Sequence, residues 1–523
     1  MKWSKSVVTG AIALALLGCQ QQQSTKIAAD YLITNGQVYL GDQSGPQAFD
    51  IAVCQQTICA LGETGSLAVE AKQTIDAKGN IVSPGFIDPH THTLEELLSD
   101  DKRANLNYLT QGVTTVINGN DGGGPVDVLD MAMQLEANGI GTNVALFTGH
   151  NSIRESVMGR ENRPATDDEI LQMARLVEQA MQNGALGIST GLYYVPGSYA
   201  QTQEVVALAK AAAKYQGVYD THLRDESTFN IGFLAALDEA IDIAKSSGIH
   251  LHLAHIKALG VDVWGQSEQA INKIESAQSQ GIKISADQYP WLASGTKLHS
   301  AIMPKWTMAD STQAFHQRLN DPELKEKIAK QVKENIRRRG GASALLITAF
   351  SDESLVGKTL EDLAKEMSLP PELAAMELVQ RGQIRVASFN MSSADLERFI
   401  TKPWVVTSSD GTNGHPRKYA SFPKKYQTYV QDKALLSIDQ FIHQSSAKTA
   451  QYLNLTDRGL IKTGLIADII IWDEKQYRAN ADFSNWNNLS SGMNTVLVNG
   501  EVVIKDGEFL NRYAGKFVKR QLP

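Results

Sequence analysis

Eight short stretches of this 523-residue chain have the character of buried β-strands, and segments with helical periodicity separate them. Each is rich in apolar or small residues and has polar residues in its second half. They comprise residues 85–92, 113–121, 143–151, 185–192, 217–225, 250–257, 283–291 and 404–411. Strands that alternate with helices form parallel sheets, and eight such units close into a barrel. The sequence therefore predicts an α/β protein built on a TIM-like (β/α)8 barrel.

The spacing of the polar strand ends supports this barrel. His90 and Asp121 are separated by roughly 30 residues, the length of one βα repeat. The stretch between Tyr289 and Asp410 is far longer and contains charged helical segments. We predict an insertion at about 295–400, between the seventh and eighth strands, that serves either as a lid over the barrel mouth or as a stabilising appendage.

The two ends of the chain have a different pattern. Residues 31–84 and 456–523 contain short β-branched or alternating runs divided by Asn-Gly and other glycine-containing turns. These runs predict one small β-sandwich domain formed from both chain ends. Between its two parts along the chain, we predict the barrel at 85–425 and further barrel helices at 426–455.

The beginning of the chain has the pattern of an export signal. Two lysines precede an apolar run at 6–18 that is too short to anchor the chain by itself. The run ends in Leu-Leu-Gly-Cys before a polar stretch, which resembles the lipobox of bacterial lipoproteins. We predict a lipoprotein signal peptide at 1–19, lipidation of Cys19 and a tether at 20–30. The alternative is a plain signal peptide with an incidental cysteine.

This prediction places the protein outside the cytoplasm, lipid-anchored to a bacterial membrane on its periplasmic or cell-surface side. Disulfides form in such compartments. The two other cysteines, Cys54 and Cys59, lie in a predicted hairpin with a two-residue turn, in which Cys54 faces Thr57 and Cys59 faces Ala52. Sulfurs at unpaired positions would need backbone movement to bond. We therefore expect two reduced cysteines that bind no metal.

Polar residues recur at the carboxyl ends of the predicted strands, the face of a barrel where active sites lie. His90 and His92 close the first strand and share one face of it. His222, His255 and Asp410 end the fifth, sixth and eighth strands. Imidazole and carboxylate are the ligands of hydrolytic zinc sites, so this pattern predicts a metal centre. The net charge of −8, without a dominant basic run, argues against nucleic acid as a partner.

Longer motifs resemble, in chain order, those of the amidohydrolase superfamily, and within it those of the D-aminoacylases (N-acyl-D-amino-acid deacylases). They are SPGFIDPHTH, QGVTTVINGN, GALGISTGLYYVPG, THLRDE, HIKALG, DQYPWLASGT and SSDG…HPRKYASFPK. The resemblance runs from about residue 31 to the C-terminus and implies a metal-bearing barrel with a small β-domain.

The resemblance also implies roles for individual residues. His90 and His92 match the pair that holds the weaker metal, His222 and His255 match two ligands of the tightly bound zinc, and Asp410 matches a metal ligand and catalytic carboxylate. One or two Zn²⁺ ions are implied, with Mn²⁺ as a possible substitute.

Three further residues match those that bind the carboxylate of the substrate in this family. They are Lys257, Tyr289 and Arg417. A guanidinium can form two parallel hydrogen bonds to a carboxylate, and lysine and tyrosine add further donors.

One residue departs from the family pattern. In many D-aminoacylases the second strand ends in Gly-Asn-Cys, and the cysteine bridges the metals, whereas this chain has Gly119-Asn120-Asp121. We expect Asp121 to take over as a ligand, since carboxylates also bind and bridge Zn²⁺. An oxygen ligand is harder than a thiolate and tolerates Mn²⁺ or Mg²⁺ better, so the number and identity of the metals stay open.

The resemblance implies a metal-dependent amide hydrolase that removes the acyl group from N-acyl-D-amino acids, with metal-activated water as nucleophile and Asp410 as general base and acid. The alternatives are a dipeptidase for peptides with a C-terminal D-residue, a cyclic-amide hydrolase of the dihydroorotase or hydantoinase type, and a non-catalytic surface-binding protein. The expected partner is a small N-acyl amino acid or dipeptide, and the oligomeric state stays open.

Overall fold

The computed structural model describes residues 1–5 and 26–521 of the chain. Cys19, with most of the predicted signal peptide and tether, lies outside the described residues. Within the described ranges, no helix combines the length and apolar character that crossing a membrane requires.

The N-terminal part of the chain forms seven strands. They are β1 (Ile27–Thr34), β2 (Gln37–Tyr39), β3 (Pro46–Gln47), β4 (Phe49–Cys54), β5 (Thr57–Glu63), β6 (Val69–Asp76) and β7 (Ile81–Pro84). Four of them make a sheet in the order β5-β4-β1-β6, in which β1 and β6 run parallel. The other three belong to a second sheet that the end of the chain completes.

Seven predicted barrel strands follow, and adjacent ones pair in parallel. They are β8 (Phe86–Asp88), β9 (Val113–Asn118), β10 (Asn143–Leu146) with its continuation β11 (Thr148–Gly149), β12 (Gly187–Gly191), β13 (Val218–His222), β14 (His250–Leu253) and β15 (Ile284–Gln288). The intervening helices are α1 (Leu94–Leu97), α2 (Leu106–Leu109), α3 (Val128–Asn138), α4 (His150–Met158), α5 (Asp167–Gln182), α6 (Thr202–Ala213), α7 (Phe233–Ser247) and α8 (Ser267–Ser279).

The insertion after the seventh strand folds as a lobe with its own apolar core, which includes Leu298, Ile328 and Leu345. Its elements are β16 (Ser294–Lys297), α9 (Leu298–Ile302), α10 (Thr312–Asn320), α11 (Pro322–Arg338), β17 (Leu345–Ala349), α12 (Leu360–Glu366), α13 (Pro371–Leu378) and β18 (Arg385–Ser388). The strand β18 lies between β16 and β17 and is antiparallel to both.

The chain returns to the barrel through α14 (Ser393–Ile400) and the eighth strand, β19 (Val405–Thr407), which pairs in parallel with β15. A parallel bridge between Thr91 and Gly411 joins the first and last strands at the mouth. The predicted eight-stranded barrel and its insertion are therefore confirmed. Three α-helices follow: α15 (Arg417–Lys425), which continues into a π-helix at Tyr426–Asp432, α16 (Ile438–Ser445) and α17 (Ala447–Tyr452).

The end of the chain completes the second β-sheet. Its strands are β20 (Ile469–Trp472), β21 (Met493–Val498), β22 (Glu501–Lys505) and β23 (Glu508–Phe509), and the sheet order is β23-β22-β21-β20-β7-β2-β3. Ile33 and Ile51 from the first sheet pack with Val82, Ile469 and Leu497 from the second in one apolar cluster. This confirms a small β-sandwich domain built from both chain ends.

The expectation of two reduced cysteines is wrong, because Cys54 and Cys59 form a disulfide with their Cα atoms 5.6 Å apart. Cys54 faces Thr57 as predicted, but Ala52 faces Ala60 instead of Cys59. Cys59 is thus the extra residue of a β-bulge. A bulge bends its strand and redirects a side chain. It therefore provides the backbone displacement that the Cys54–Cys59 bond requires and that a regular hairpin lacks.

Candidate metal centre

The polar strand ends meet in one cavity of about 730 Å³ at the carboxyl-terminal mouth of the barrel. The six predicted metal ligands all lie at or just beyond the ends of barrel strands. They are His90 and His92 after β8, Asp121 after β9, His222 at the end of β13, His255 after β14 and Asp410 after β19. Parallel strands in a barrel all end at the same face, so the fold brings these residues together.

One group of potential ligands consists of His90, His92, Asp121 and Asp410. The Nε2 atoms of His90 and His92 each lie 3.5 Å from a carboxylate oxygen of Asp121, and His92 Nε2 lies 3.4 Å from Asp410 Oδ1. Two atoms that bind one tetrahedral ion at about 2 Å lie roughly 3.3 Å apart. The distances between these nitrogens and oxygens therefore match those between two ligands of the same ion better than those of direct hydrogen bonds.

A second group consists of Asp121, His222 and His255. Asp121 Oδ1 lies 3.6 Å from His222 Nδ1 and 3.3 Å from His255 Nε2. The two imidazole nitrogens are 2.8 Å from each other. Asp121 thus belongs to both groups, which is the position that a bridging ligand between two ions would hold.

The residues present fit divalent metal ions. Within the described part of the chain, the Nε2 atom of His90 and the Oδ1 atom of Asp121, which face each other in the first group, are buried without a hydrogen-bond partner. Buried polar atoms are nearly always hydrogen-bonded, so these atoms require another partner. Imidazole and carboxylate donors suit Zn²⁺, and the oxygen share of the set also suits Mn²⁺.

The electrostatics of the site keep its carboxylates ionised, as metal ligation requires. Burial alone would raise the pKa of Asp121, but the charges of His90 and His255 hold that pKa well below its usual range. Burial would likewise raise the pKa of Asp410, and the guanidinium of Arg417 lowers it. Burial lowers the pKa of His222, which favours its neutral, ligating form. Burial would also lower the pKa of His90 and of His255, but the carboxylates around them raise the pKa of both imidazoles, so these two would release a proton on binding a metal.

Three predicted ligands have an unusual backbone conformation. The φ angles of Asp121, His255 and Asp410 are 56°, 35° and 47°. A non-glycine residue in the left-handed region costs on the order of 1–3 kcal/mol and persists only where the surroundings hold it. Such positions concentrate at functional sites, and here they aim side chains from three different loops at one point.

Two of the three predicted carboxylate-binding residues line the cavity. Arg417 Nη1 lies 2.8 Å from Asp410 Oδ2, and Lys257 Nζ lies 2.7 Å from both Glu226 Oε1 and His255 Nδ1. Tyr289 does not line the cavity. Its buried ring lies 4.8 Å from the Arg417 guanidinium, so it packs against that side chain without facing the cavity.

Glu226 and Asp287 are additional members of the site that strand-end position alone does not single out. Glu226 Oε1 lies 3.2 Å from His255 Nδ1, and Asp287 Oδ2 lies 3.8 Å from His90 Nδ1 and 3.0 Å from His252 Nε2. Carboxylates on the far nitrogen of a ligating histidine fix its orientation. Both residues lie inside motifs, THLRDE and DQYPWLASGT, which are the only signal that could have identified them.

The fold and this donor set define a metal-dependent amidohydrolase, and the chain belongs to the amidohydrolase family, whose model matches residues 73–337. It is 28% identical over 527 residues to a D-aminoacylase from Alcaligenes xylosoxydans xylosoxydans, covering 95% of this chain and 99% of that protein. It is 30% identical over 509 residues to an N-acyl-D-aspartate deacylase from the same organism, covering 92% and 93%.

A solved structure is also similar. It is that of an N-acyl-D-glutamate deacylase from Bordetella bronchiseptica, complexed with zinc and a phosphonate inhibitor that mimics the tetrahedral intermediate. The TM-score is 0.80 at 26% identity, and the match covers 94% of this chain and 100% of that one.

Proposed function

We propose that this chain is a metal-dependent hydrolase that removes the acyl group from N-acyl-D-amino acids. The observation that carries the proposal is the presence, in one cavity, of the histidine–aspartate cluster together with Lys257 and Arg417. The cluster suits amide hydrolysis, and the two cations suit a substrate carboxylate. The relatives named as a D-aminoacylase and an N-acyl-D-aspartate deacylase match 95% and 92% of this chain, which supports the same activity.

The two oxygens of Asp410 face different partners. Oδ2 lies beside Arg417, while Oδ1 faces the Nε2 atoms of His90 and His92 at 3.7 and 3.4 Å. A divalent metal held by these residues would polarise the scissile carbonyl and lower the pKa of a bound water. Asp410 accepts the proton of the attacking water and delivers it to the leaving nitrogen.

Arg417 and Lys257 orient the substrate through its carboxylate. Arg417 lines the cavity beside Asp410, and its buried Nε atom has no hydrogen-bond acceptor within the described ranges, so the guanidinium retains unsatisfied hydrogen-bonding capacity. The ring of Tyr289 holds the guanidinium in place. Fixing the carboxylate aligns the amide with Asp410, and such orientation contributes strongly to rate.

The test is a panel of amides offered to the metal-loaded enzyme. N-acetyl-D-methionine is expected to be hydrolysed, its L-enantiomer poorly, and the matching N-acetyl amine without a carboxylate at least about 10²-fold more slowly. Arg417→Met is expected to lose most of the preference for the acid, since it removes the guanidinium. Arg175→Met, at an exposed position on α5, is the matched control and keeps the preference.

Absence of hydrolysis of every N-acyl-D-amino acid would overturn the proposal. Dipeptides with a C-terminal D-residue and cyclic amides in the same panel would then identify the replacement activity. If Arg417→Met distinguishes acid from amine as well as the wild type does, another residue binds the carboxylate.

We further propose that the chain is exported and anchored to a bacterial membrane through lipid on Cys19. The lysines, the short apolar run and the Leu-Leu-Gly-Cys sequence support this proposal. The disulfide between Cys54 and Cys59 is in keeping with an oxidising compartment.

Full-length protein is accordingly expected to fractionate with membranes, and Cys19→Ser is expected to release it or block its maturation. Stable anchoring needs more than one acyl chain, because a single chain binds only marginally. The measurement is fractionation with mass spectrometry of the N-terminal peptide, and Gln21→Ser in the tether is the control. Wild-type protein found wholly in the soluble fraction would contradict the anchor.

A further inference from the structure

We propose that His252 is a positioning residue of the metal centre, which holds the Asp287 carboxylate against His90 from inside the barrel. The inference rests on the proposed function only through the metal centre, to which it adds side chains outside the cavity. His252 does not line the cavity, so it does not contact a substrate bound there. It acts on His90 through Asp287.

The first observation is a row of polar side chains inside the barrel, formed by His250 and His252 on β14 and by Ser285 and Asp287 on β15. His252 lies directly opposite Ser285. Successive side chains of a strand point to opposite faces of the sheet. The alternate residues of both strands belong to the apolar cluster that includes the barrel helices, so the polar row faces the barrel interior. They are Leu251, Leu253, Ile284 and Ala286.

The second observation is that hydrogen bonds join the members of the polar row. His252 Nε2 lies 3.0 Å from Asp287 Oδ2, and His252 Nδ1 lies 2.7 Å from Ser285 Oγ. The same Oγ atom lies 2.9 Å from His250 Nε2. His252, Ser285 and Asp287 are buried, whereas His250 is half-buried. The hydrogen bonds therefore extend from the metal centre towards the amino-terminal end of β14, where the row meets solvent.

The interior of a barrel is an unusual place for such a row. Bulky branched apolar side chains normally fill the interior of a (β/α)8 barrel, and polar groups lose their hydrogen bonds to water when they are buried there. A fully bonded polar network is rigid, however, and specifies one arrangement of its side chains. A metal site needs such rigidity where a carboxylate must orient one of the ligating histidines.

The hydrogen bonds also determine which nitrogen of His252 faces Asp287 with a proton. Ser285 has one hydroxyl proton, so it donates to one imidazole and accepts from the other. If it donates to Nδ1 of His252, the neutral imidazole carries its proton on Nε2. If it accepts from Nδ1, Nε2 must carry a second proton, because a bare nitrogen would otherwise face the Asp287 carboxylate. In both arrangements His252 donates to Asp287 from Nε2.

The position of Asp287 depends on this donor. Among the residues that the structure describes, His252 makes the only hydrogen bond of 3.5 Å or less to the Asp287 carboxylate. His90 Nδ1 lies 3.8 Å from Oδ2 of the same carboxylate, while His90 Nε2 faces the other candidate ligands. A carboxylate beside Nδ1 keeps the ring proton there, so that Nε2 can bind a metal. By fixing Asp287, His252 prepares His90 for ligation.

The experiment measures the zinc affinity of the metal-free protein by competition with a chromophoric chelator, at one pH and with every variant folded. His252→Leu removes the donor to Asp287 and is expected to weaken zinc binding at least about tenfold, the lower end of the cost of losing an outer partner of a ligand. His252→Gln keeps an amide donor and is expected to bind at least about threefold more tightly than His252→Leu, the size of one hydrogen bond.

Ser285→Ala is the milder variant, because it removes only the hydroxyl that orients His252. It is expected to weaken zinc binding at least about threefold, again the size of one hydrogen bond. Ser83→Ala is the matched control. It removes a buried hydroxyl that accepts from Trp472 in the small β-domain, and it is expected to keep the wild-type affinity.

A double-mutant cycle separates positioning from a general structural role. In an Asp287→Asn background, His252→Leu is expected to change zinc affinity less than about twofold, because that background lacks the carboxylate through which His252 acts. Thermal unfolding of the metal-free variants is measured in parallel. A purely structural role would lower their Tm and leave the zinc affinity of the folded protein unchanged.

Wild-type zinc affinity in Ser285→Ala would overturn the inference, whether or not His252→Leu folds. Additive effects of His252→Leu and Asp287→Asn in the cycle would also overturn it, since His252 would then not act through the carboxylate. Equal affinities of His252→Gln and His252→Leu would show that the donor is not the cause. Because the readout is zinc affinity, absence of hydrolysis would contradict the proposed function and leave this inference standing.

Discussion

Replacement of Asp410 by asparagine is expected to lower kcat at least about 10²-fold while most of the bound metal remains. Asparagine keeps the shape of the side chain and one oxygen, but it cannot accept the proton of the attacking water. The measurement is kcat on an N-acyl-D-amino acid together with metal content per chain. Asp238→Asn, at an exposed position on α7, is the matched control. Activity within a few-fold of the wild type would remove Asp410 from the mechanism.

The second large effect concerns Asp121, whose Oδ1 atom is near both groups of histidines. Asp121→Ala is expected to cost bound metal as well as rate, because it removes the oxygen that both groups share. Asp121→Cys is expected to retain zinc, since a thiolate is also a zinc ligand. The softer sulfur should favour Zn²⁺ over Mn²⁺ as the ion that supports activity.

The measurement for Asp121 is metal content per chain by mass spectrometry after identical dialysis of the wild type, both variants and Asp238→Ala as control. A full metal complement in Asp121→Ala would show that Asp121 is not a ligand. The histidines and Asp410 would then hold the metal without it.

The barrel and the grouping of the six metal-site residues could be predicted because both depend on position along a strand. Once eight strands are placed, their carboxyl ends must converge, and residues such as His222 and Asp410 are brought together whatever lies between them. Each candidate ligand could therefore be placed once its strand and the carboxyl end of that strand were known. Hydrophobic periodicity and turn residues indicate both.

Other features depend on displacements of a single residue or on contacts that no local pattern records. The bulge at Cys59 shifts one residue in a hairpin and so permits a disulfide that a regular ladder excludes. The ring of Tyr289 packs against Arg417 and does not line the cavity. The neighbouring sequence does not indicate in which direction this ring points.

The sheet shared by the two chain ends sets the order in which this protein can fold. In that sheet Ile81 lies opposite Trp472, so β7 has no partner on that side until the whole barrel has been synthesised. Contacts so far apart in sequence form slowly, because a long loop must close before they contribute. The barrel shortens that loop by bringing its two ends together as it closes. The small domain, although its first strands are synthesised earliest, is therefore completed last, and until then its open edge is exposed to pairing with other chains.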